Sequence, residues 1–177
     1  MEEPISPCRY SKNIKMDKLK LLIPLAFLLL CCSNSDEKQW AVKDELNGTV
    51  VKIVDGDTFD LLTKENSTIR IRMNGIDCPE RKQDYYQVAK DALGSFIFKK
   101  EIQLVTFGKD RNKRVIAHVF LNGENINLAM IRDGYAWHYK KYSSDLTYAK
   151  AEKEARAARK GLWQIPNPTA PWDYRYK

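Results

Sequence analysis

Cysteine and histidine are scarce in this sequence. Of its 177 residues, four are cysteine and two are histidine. Cys8, Cys31 and Cys32 precede residue 33, so only Cys78 falls in the remaining sequence. A single cysteine excludes an internal disulfide framework there, and the folded part must be stable without such cross-links. The two histidines fit neither a zinc site nor a general-base pattern, and we interpret His118, which lies in a strand of apolar residues, as structural.

Long apolar runs, internal repeats and low-complexity blocks are also missing. The apolar run LLIPLAFLLLCC at residues 21–32 is too short to span a bilayer comfortably as a helix. Lys18 and Lys20 precede it and the polar stretch SNSDEK follows it, which is typical of a secretory signal. We therefore predict a signal segment over residues 1–32 of an exported protein, with translation starting at Met16.

The signal ends in two cysteines rather than in a small-residue cleavage site, which resembles a bacterial lipoprotein signal. Cys31 and Cys32 are both lipidation candidates, although Leu30 and Cys31 precede them instead of the usual small residue. Two or more acyl chains hold a protein at a membrane where one chain barely does. The prediction is a lipid-anchored protein, and the alternative is cleavage and release as a secreted protein.

Composition and charge describe a globular domain with an affinity for anions. Hydrophobic residues make up 44% and charged residues 30%, which is typical of a soluble globular chain. The net charge of +7 favours polyanionic partners such as nucleic acid, although solubility alone also accounts for it. We predict a linker over residues 33–47, one domain over 48–165 and an irregular, proline-containing tail over 166–177.

Hydrophobic periodicity predicts two strand pairs and three helices. Alternation predicts a hairpin around the KENS turn at residues 64–67, with Ile69, Ile71 and Met73 on one face. A second strand pair is joined by the GKDRNKR segment. Helical spacing predicts helices over 83–100, 127–134 and 145–160. This order predicts an α+β fold: a five-stranded OB-type antiparallel β-barrel with about three α-helices packed outside, a design that commonly binds oligonucleotides.

Three charged clusters lie at predicted strand ends or turns: DGDT at 55–58, RMNGIDCPE at 72–80 and DRNKR at 110–114. Their acids are hard oxygen ligands without a histidine or cysteine pair nearby, which favours calcium or magnesium. Asp-Gly is also an ordinary turn signal, and that simpler reading stays open for DGD alone.

Arg72 and Arg114 stand beside these acids in the sequence. An arginine can clamp a phosphate through two parallel hydrogen bonds, and two arginines with a divalent cation and a spare glutamate suit phosphoryl transfer. A solvated strand face is the alternative for either arginine taken alone.

Taken together, the three clusters resemble the staphylococcal nuclease (thermonuclease) family. The resemblance covers about residues 48–163 and includes DGDT, the R-x₄-D-x-P-E pattern, the D-R-x-x-R loop and NLAMIRDGYAW. It implies a calcium-dependent hydrolase, an endonuclease that cuts DNA and RNA on the 5′-oxygen side and leaves 3′-phosphate ends. Single-stranded or denatured nucleic acid is the expected substrate. We predict a monomer without an obligate protein partner.

The resemblance also implies roles for individual residues. Asp57 and Asp77 would bind Ca²⁺ through their carboxylates, and Cys78 would bind it through its backbone carbonyl. Glu80 would orient or deprotonate the attacking water, while Arg72 and Arg114 would hold the phosphate as catalytic residues. Further supporting positions are then Thr58 beside the metal ligands and Asp55 behind them.

The DRNKR loop departs from the family's usual D-[KR]-Y-G-R. Losing the tyrosine removes a base-stacking platform, and losing the glycine changes the turn that presents Arg114. Tyr139, Lys140 and Tyr142 are the candidates for substrate binding instead, unless these aromatic residues pack the last helix. Two other functions stay open: a non-catalytic OB-fold module that binds nucleic acid on the cell envelope, and a structural lipoprotein.

Overall fold

The computed structural model describes residues 44–176. The predicted signal segment, Met16, Cys31 and Cys32 lie outside the described residues, as does most of the predicted linker. The last four linker residues do not form a linker, because strand β1 begins at Asp44 and so extends the domain beyond the predicted start at residue 48. Within residues 44–176, no helix has the length and apolar composition needed to cross a bilayer.

Eight strands and four α-helices make up the described chain. The strands are β1 (Asp44–Ile53), β2 (Thr58–Thr63), β3 (Thr68–Met73), β4 (Ile76–Asp77), β5 (Glu101–Lys109), β6 (Val115–Leu121), β7 (Glu124–Asn125) and β8 (Trp137–His138). The helices are α1 (Tyr86–Ile97), α2 (Ile126–Arg132), α3 (Leu146–Ala157) and α4 (Pro171–Tyr174), with a 3₁₀ turn at Gly161–Gln164.

Five strands close into a barrel, which confirms the predicted OB-type architecture. Neighbouring strands pair in the order β3-β2-β1-β5-β6, and β3 also pairs with β6. The four consecutive pairs are antiparallel, but the closing pair is parallel, with Ile71 opposite Val115. An odd number of strands in a closed ring cannot alternate in direction throughout, so the barrel is mixed rather than purely antiparallel.

The barrel interior contains the predicted apolar face of β3. Ile71 and Met73 are fully buried, whereas Arg70 and Arg72 project from the opposite face of the strand. The core continues into Leu93 and Ile97 of α1 and into α2 and α3. This arrangement leaves Arg72 at the rim of the barrel rather than in its core.

The three predicted helices exist but are shorter than predicted. Tyr85, with a left-handed φ of 66°, precedes α1, and the extended residue Phe98 follows it. Asp145 caps α3 by accepting hydrogen bonds from the backbone N–H groups of Thr147 and Tyr148. Gly134, at a φ of 78°, follows α2 as the sequence predicted.

The C-terminal residues are not the irregular tail that the sequence predicted. Pro171–Tyr174 form helix α4, and Ala170 is buried with Trp137, Leu162 and Trp163 in a second apolar cluster. Gln83 Nε2 also donates a 2.6 Å hydrogen bond to the Thr169 carbonyl. Burial of apolar surface and this hydrogen bond therefore hold the C-terminal residues against the barrel domain.

Candidate active site

Asp57 lies in the turn between β1 and β2, and its carboxylate is held from two sides. Thr58 Oγ1 donates to Asp57 Oδ1 at 3.1 Å, and the Cys78 backbone N–H donates to Asp57 Oδ2 at 2.8 Å. The turn and β4 approach so closely that a Cβ on Gly56 would lie 2.8 Å from Cys78 Cβ. Glycine at position 56 is thus required for the contact that brings the two predicted clusters together.

Arg72 lies between the two predicted metal ligands. The pairing of β2 with β3 places Arg72 opposite Thr58, next to Asp57. Its Nη1 forms an ion pair with Asp57 Oδ2, and its Nη2 donates to Asp77 Oδ1 at 2.8 Å. Nη1 is buried and makes no aligned hydrogen bond, so its contact with Asp57 is one of charge. Burial alone would lower the pKa of Arg72, but the charges of Asp57 and Asp77 outweigh it and raise that pKa.

Asp77 is almost fully buried, with a side-chain exposure of 1%, and β4 carries it to the edge of the barrel. It pairs with Trp137 across the β4–β8 ladder. Burial and then the Asp57 charge raise the pKa of Asp77 to about 6, although Arg72 opposes the shift. Burial and the Asp57 charge likewise raise the pKa of Asp55 to about 7. Both shifts therefore come first from burial and second from the crowding of these carboxylates around Asp57.

Glu80 follows β4. Its carboxylate and that of Asp77 both contact Arg175, a residue that no sequence motif had indicated. Arg175 Nη2 donates to Asp77 Oδ2 at 2.8 Å, and Arg175 Nη1 contacts both Asp77 Oδ1, at 3.3 Å, and Glu80 Oε1. Arg175 lies just beyond α4, in a stretch that was predicted to be irregular. No local pattern marked it, because its partners are distant in the sequence.

Arg114 is the one predicted catalytic residue that the described structure does not connect to Asp57 or Asp77. Within residues 44–176 its ion pair is with Asp110, from Arg114 Nε to Asp110 Oδ2 at 2.8 Å. The loop keeps a tight turn, because Lys113 adopts the left-handed φ of 63° that a glycine would adopt readily. Arg114 therefore stands at the start of β6, beside β3, with its guanidinium bound to Asp110.

The three predicted substrate-binding residues lie directly after β8. The backbone N–H of Tyr139 donates to the Gly75 carbonyl at 2.9 Å, so the segment lies next to β4. The Tyr139 ring stacks on Trp172 with centroids 5.1 Å apart and meets the Tyr142 ring edge-on at 4.8 Å. Lys140 Nζ lies 3.7 Å from Glu152 Oε2. Tyr142 is exposed, whereas Tyr139 packs partly against Trp172 of α4 rather than against the helix over 145–160 that the alternative interpretation had in view.

The residues of the cluster fit a hard divalent cation without forming a complete ligand cage. Among residues 44–176 no group of three or more histidine, cysteine or acidic side chains is arranged to hold a metal ion. Two carboxylates, Asp57 and Asp77, nevertheless flank one guanidinium, and the Cys78 backbone adjoins Asp57. Two carboxylates and a backbone carbonyl, completed by water, are a donor set that suits calcium.

The fold and the cluster together define a class: an OB-type barrel whose rim presents acids and arginines suited to a cation and a phosphate. A family model described as staphylococcal nuclease homologue matches residues 70–165. The chain is 44% identical over 126 residues to an uncharacterized endonuclease of Haemophilus influenzae, covering 71% of each protein. It is 37% identical over 147 residues to a micrococcal nuclease of Shigella flexneri, covering 77% of this chain and 82% of that protein. An uncharacterized endonuclease of Escherichia coli is 35% identical over 134 residues, or 75% of this chain and 87% of its own length. The chain belongs to the staphylococcal nuclease family.

Proposed function

We propose that the protein is a calcium-dependent endonuclease that hydrolyses phosphodiester bonds of DNA and RNA and leaves 3′-phosphate ends. The observation that carries the proposal is the position of Arg72, a buried guanidinium between the carboxylates of Asp57 and Asp77. Family membership supports a nuclease, and relatives named endonuclease and micrococcal nuclease support the reaction class.

In this proposal Asp57, Asp77 and the backbone carbonyl of Cys78 would hold one calcium ion. The bound ion would supply Lewis-acid chemistry, polarising a phosphate oxygen and acidifying a water molecule. All three donors are hard oxygens, which calcium prefers. Burial raises the pKa of the Cys78 thiol well above its usual value, and a soft thiol is a poor ligand for calcium.

Glu80 is the candidate to orient or deprotonate the attacking water. Arg175 Nη1 contacts both its carboxylate and that of Asp77, and the Glu80 side chain is 36% exposed. A partly exposed carboxylate can accept a proton from a water molecule that a fully buried one cannot reach.

Arg72 and Arg114 are the candidates to bind the phosphate and to stabilise the charge that builds up during hydrolysis. Arg72 can turn its unaligned Nη1 toward a phosphate oxygen once a cation balances Asp57. Arg114 pairs with Asp110 through Nε, so its Nη1 and Nη2 groups can donate to a phosphate while that pair is kept. The 5′-oxygen would then leave, and the phosphate would remain on the 3′ side.

Tyr139, Lys140 and Tyr142 would contact the substrate beyond the scissile phosphate. The exposed ring of Tyr142 can stack on an unpaired base, and Lys140 attracts the backbone, which favours single-stranded nucleic acid. The sequence before residue 33 supports export, with Cys31 or Cys32 attached to lipid or with the chain released. A nuclease kept outside the cell would meet abundant calcium and spare the host genome.

A cleavage assay of the full chain tests the proposal. We expect denatured DNA and RNA to be cut with calcium present and to stay intact with a calcium chelator, because the proposed ion supplies the Lewis acid that polarises the phosphate and acidifies the water. The products should carry 3′-phosphates, detected as ends that block primer extension until a phosphatase removes them. Nucleic acid that is bound but intact under every condition would instead establish a non-catalytic binding module.

A further inference from the structure

We propose that Arg175, which also contacts Glu80, is an internal cation that competes with the divalent metal ion for Asp77. The C-terminal segment, defined as residues 169–175, would thereby set the affinity of the site for calcium. This inference rests on the proposed function, because it concerns the same carboxylates, and it adds a regulatory contact from a part of the chain outside the catalytic clusters.

The contacts of Arg175 use both carboxylate oxygens of Asp77. Nη2 donates to Oδ2 at 2.8 Å, and Nη1 lies 3.3 Å from Oδ1, which Arg72 also binds at 2.8 Å. Arg175 Nη1 contacts Glu80 as well. A calcium ion bound through Asp77 would need oxygen lone pairs that these guanidinium groups already engage. Calcium and Arg175 would therefore compete for the carboxylate of Asp77.

The C-terminal segment is held in place by contacts that do not involve Arg175. Trp172 stacks on Tyr139 with an interplanar angle of 7° and meets Trp137 edge-on at 5.6 Å. Ala170 and Pro171 are buried, and Thr169 accepts a hydrogen bond from Gln83. These anchors keep the guanidinium close to Asp77 even when its own contacts break, which raises its effective concentration there.

Exposure favours release of Arg175 rather than of Arg72. The Arg175 side chain is 37% exposed, against 14% for Arg72, and it covers the solvent side of the nearly buried Asp77. An incoming ion can displace Arg175 into water without opening the barrel. Because coupling between two ligands of one site is reciprocal, calcium must loosen Arg175 as much as Arg175 weakens calcium binding.

Calorimetric titration of calcium into the full chain tests the inference. Arg175→Gln keeps a polar side chain but removes the charge, and we expect it to lower the Kd for calcium about tenfold, within the usual range of coupling between sites. Arg132→Gln is the matched control, since Arg132 also bridges two carboxylates, Glu124 and Asp133, at the end of α2. The control should bind calcium like the unsubstituted protein.

Hydrogen exchange supplies a second measurement that needs no variant. The backbone N–H groups of Tyr174 and Arg175 donate to Ala170 and Pro171, and calcium should make them exchange faster. An unchanged or weaker calcium affinity in Arg175→Gln would overturn the inference and leave the proposed function intact. If calcium bound neither the unsubstituted protein nor Arg175→Gln, the proposed calcium site would be overturned, and the inference with it.

Discussion

Replacing Glu80 by Gln should lower the maximal cleavage rate by about 10²–10⁴-fold, the usual contribution of a general base. Glutamine keeps the size and polarity of the side chain but cannot accept a proton from water. Single-turnover cleavage of a short denatured DNA at saturating calcium measures the effect. Calcium affinity should not fall, because Glu80 is not one of the proposed ligands.

Glu154→Gln is the matched control for this variant. Glu154 is an exposed residue of α3 that pairs only loosely with Lys150, at 4.0 Å. Its substitution should leave the rate within about twofold, since surface changes remote from such a site have small effects. If Glu80→Gln cleaved as fast as the control, another group would have to activate the water. If its calcium affinity dropped along with the rate, Glu80 would be a metal ligand instead.

Replacing Arg72 by Lys should lower the maximal cleavage rate by about 10²–10³-fold, comparable to the loss of one charge-stabilising donor in other enzymes. Lysine preserves the positive charge between Asp57 and Asp77 but has no planar fork that reaches both carboxylates and a phosphate. The same single-turnover assay measures this change. Thermal unfolding, followed in parallel, separates a catalytic loss from a failure to fold.

Arg70→Lys is a close control, because Arg70 belongs to the same strand and also makes a bidentate pair. Its Nε and Nη2 donate to Asp60 at 2.8 and 3.1 Å, away from the proposed ligands. This control should lose some stability but little activity. Equal rate losses in the two variants would mean that any arginine of β3 matters only for folding, and the phosphate role of Arg72 would fail.

The sequence predicted those parts of the fold and site that depend on local patterns. Alternation along β3 placed Ile71 and Met73 in the core and Arg72 on the other face, and the glycine at 134 correctly marked the end of α2. The meeting of DGDT with RMNGIDCPE was also predictable. A hairpin brings Thr58 opposite Arg72, and β4 follows only two residues after β3.

The features that were missed depend on contacts between distant parts of the chain. Arg175 and Asp77 are separated by 98 residues, and prolines in the tail obscured helix α4. The Arg114–Asp110 pair lies within one loop, but the residue pattern alone does not distinguish an arginine that pairs with a nearby carboxylate from one that binds a phosphate. The parallel pairing of β3 with β6 can be predicted only once the five strands are known to form a closed ring, because an odd number of strands cannot alternate in direction throughout.

A crystal structure of the full chain grown with calcium would test the central claim most directly. We expect one ion with carboxylate oxygens of both Asp57 and Asp77 at about 2.3–2.6 Å, Arg72 beside it and Arg175 displaced. An ion bound elsewhere, with Asp57 and Asp77 still paired to arginines alone at saturating calcium, would rule out the proposed calcium site.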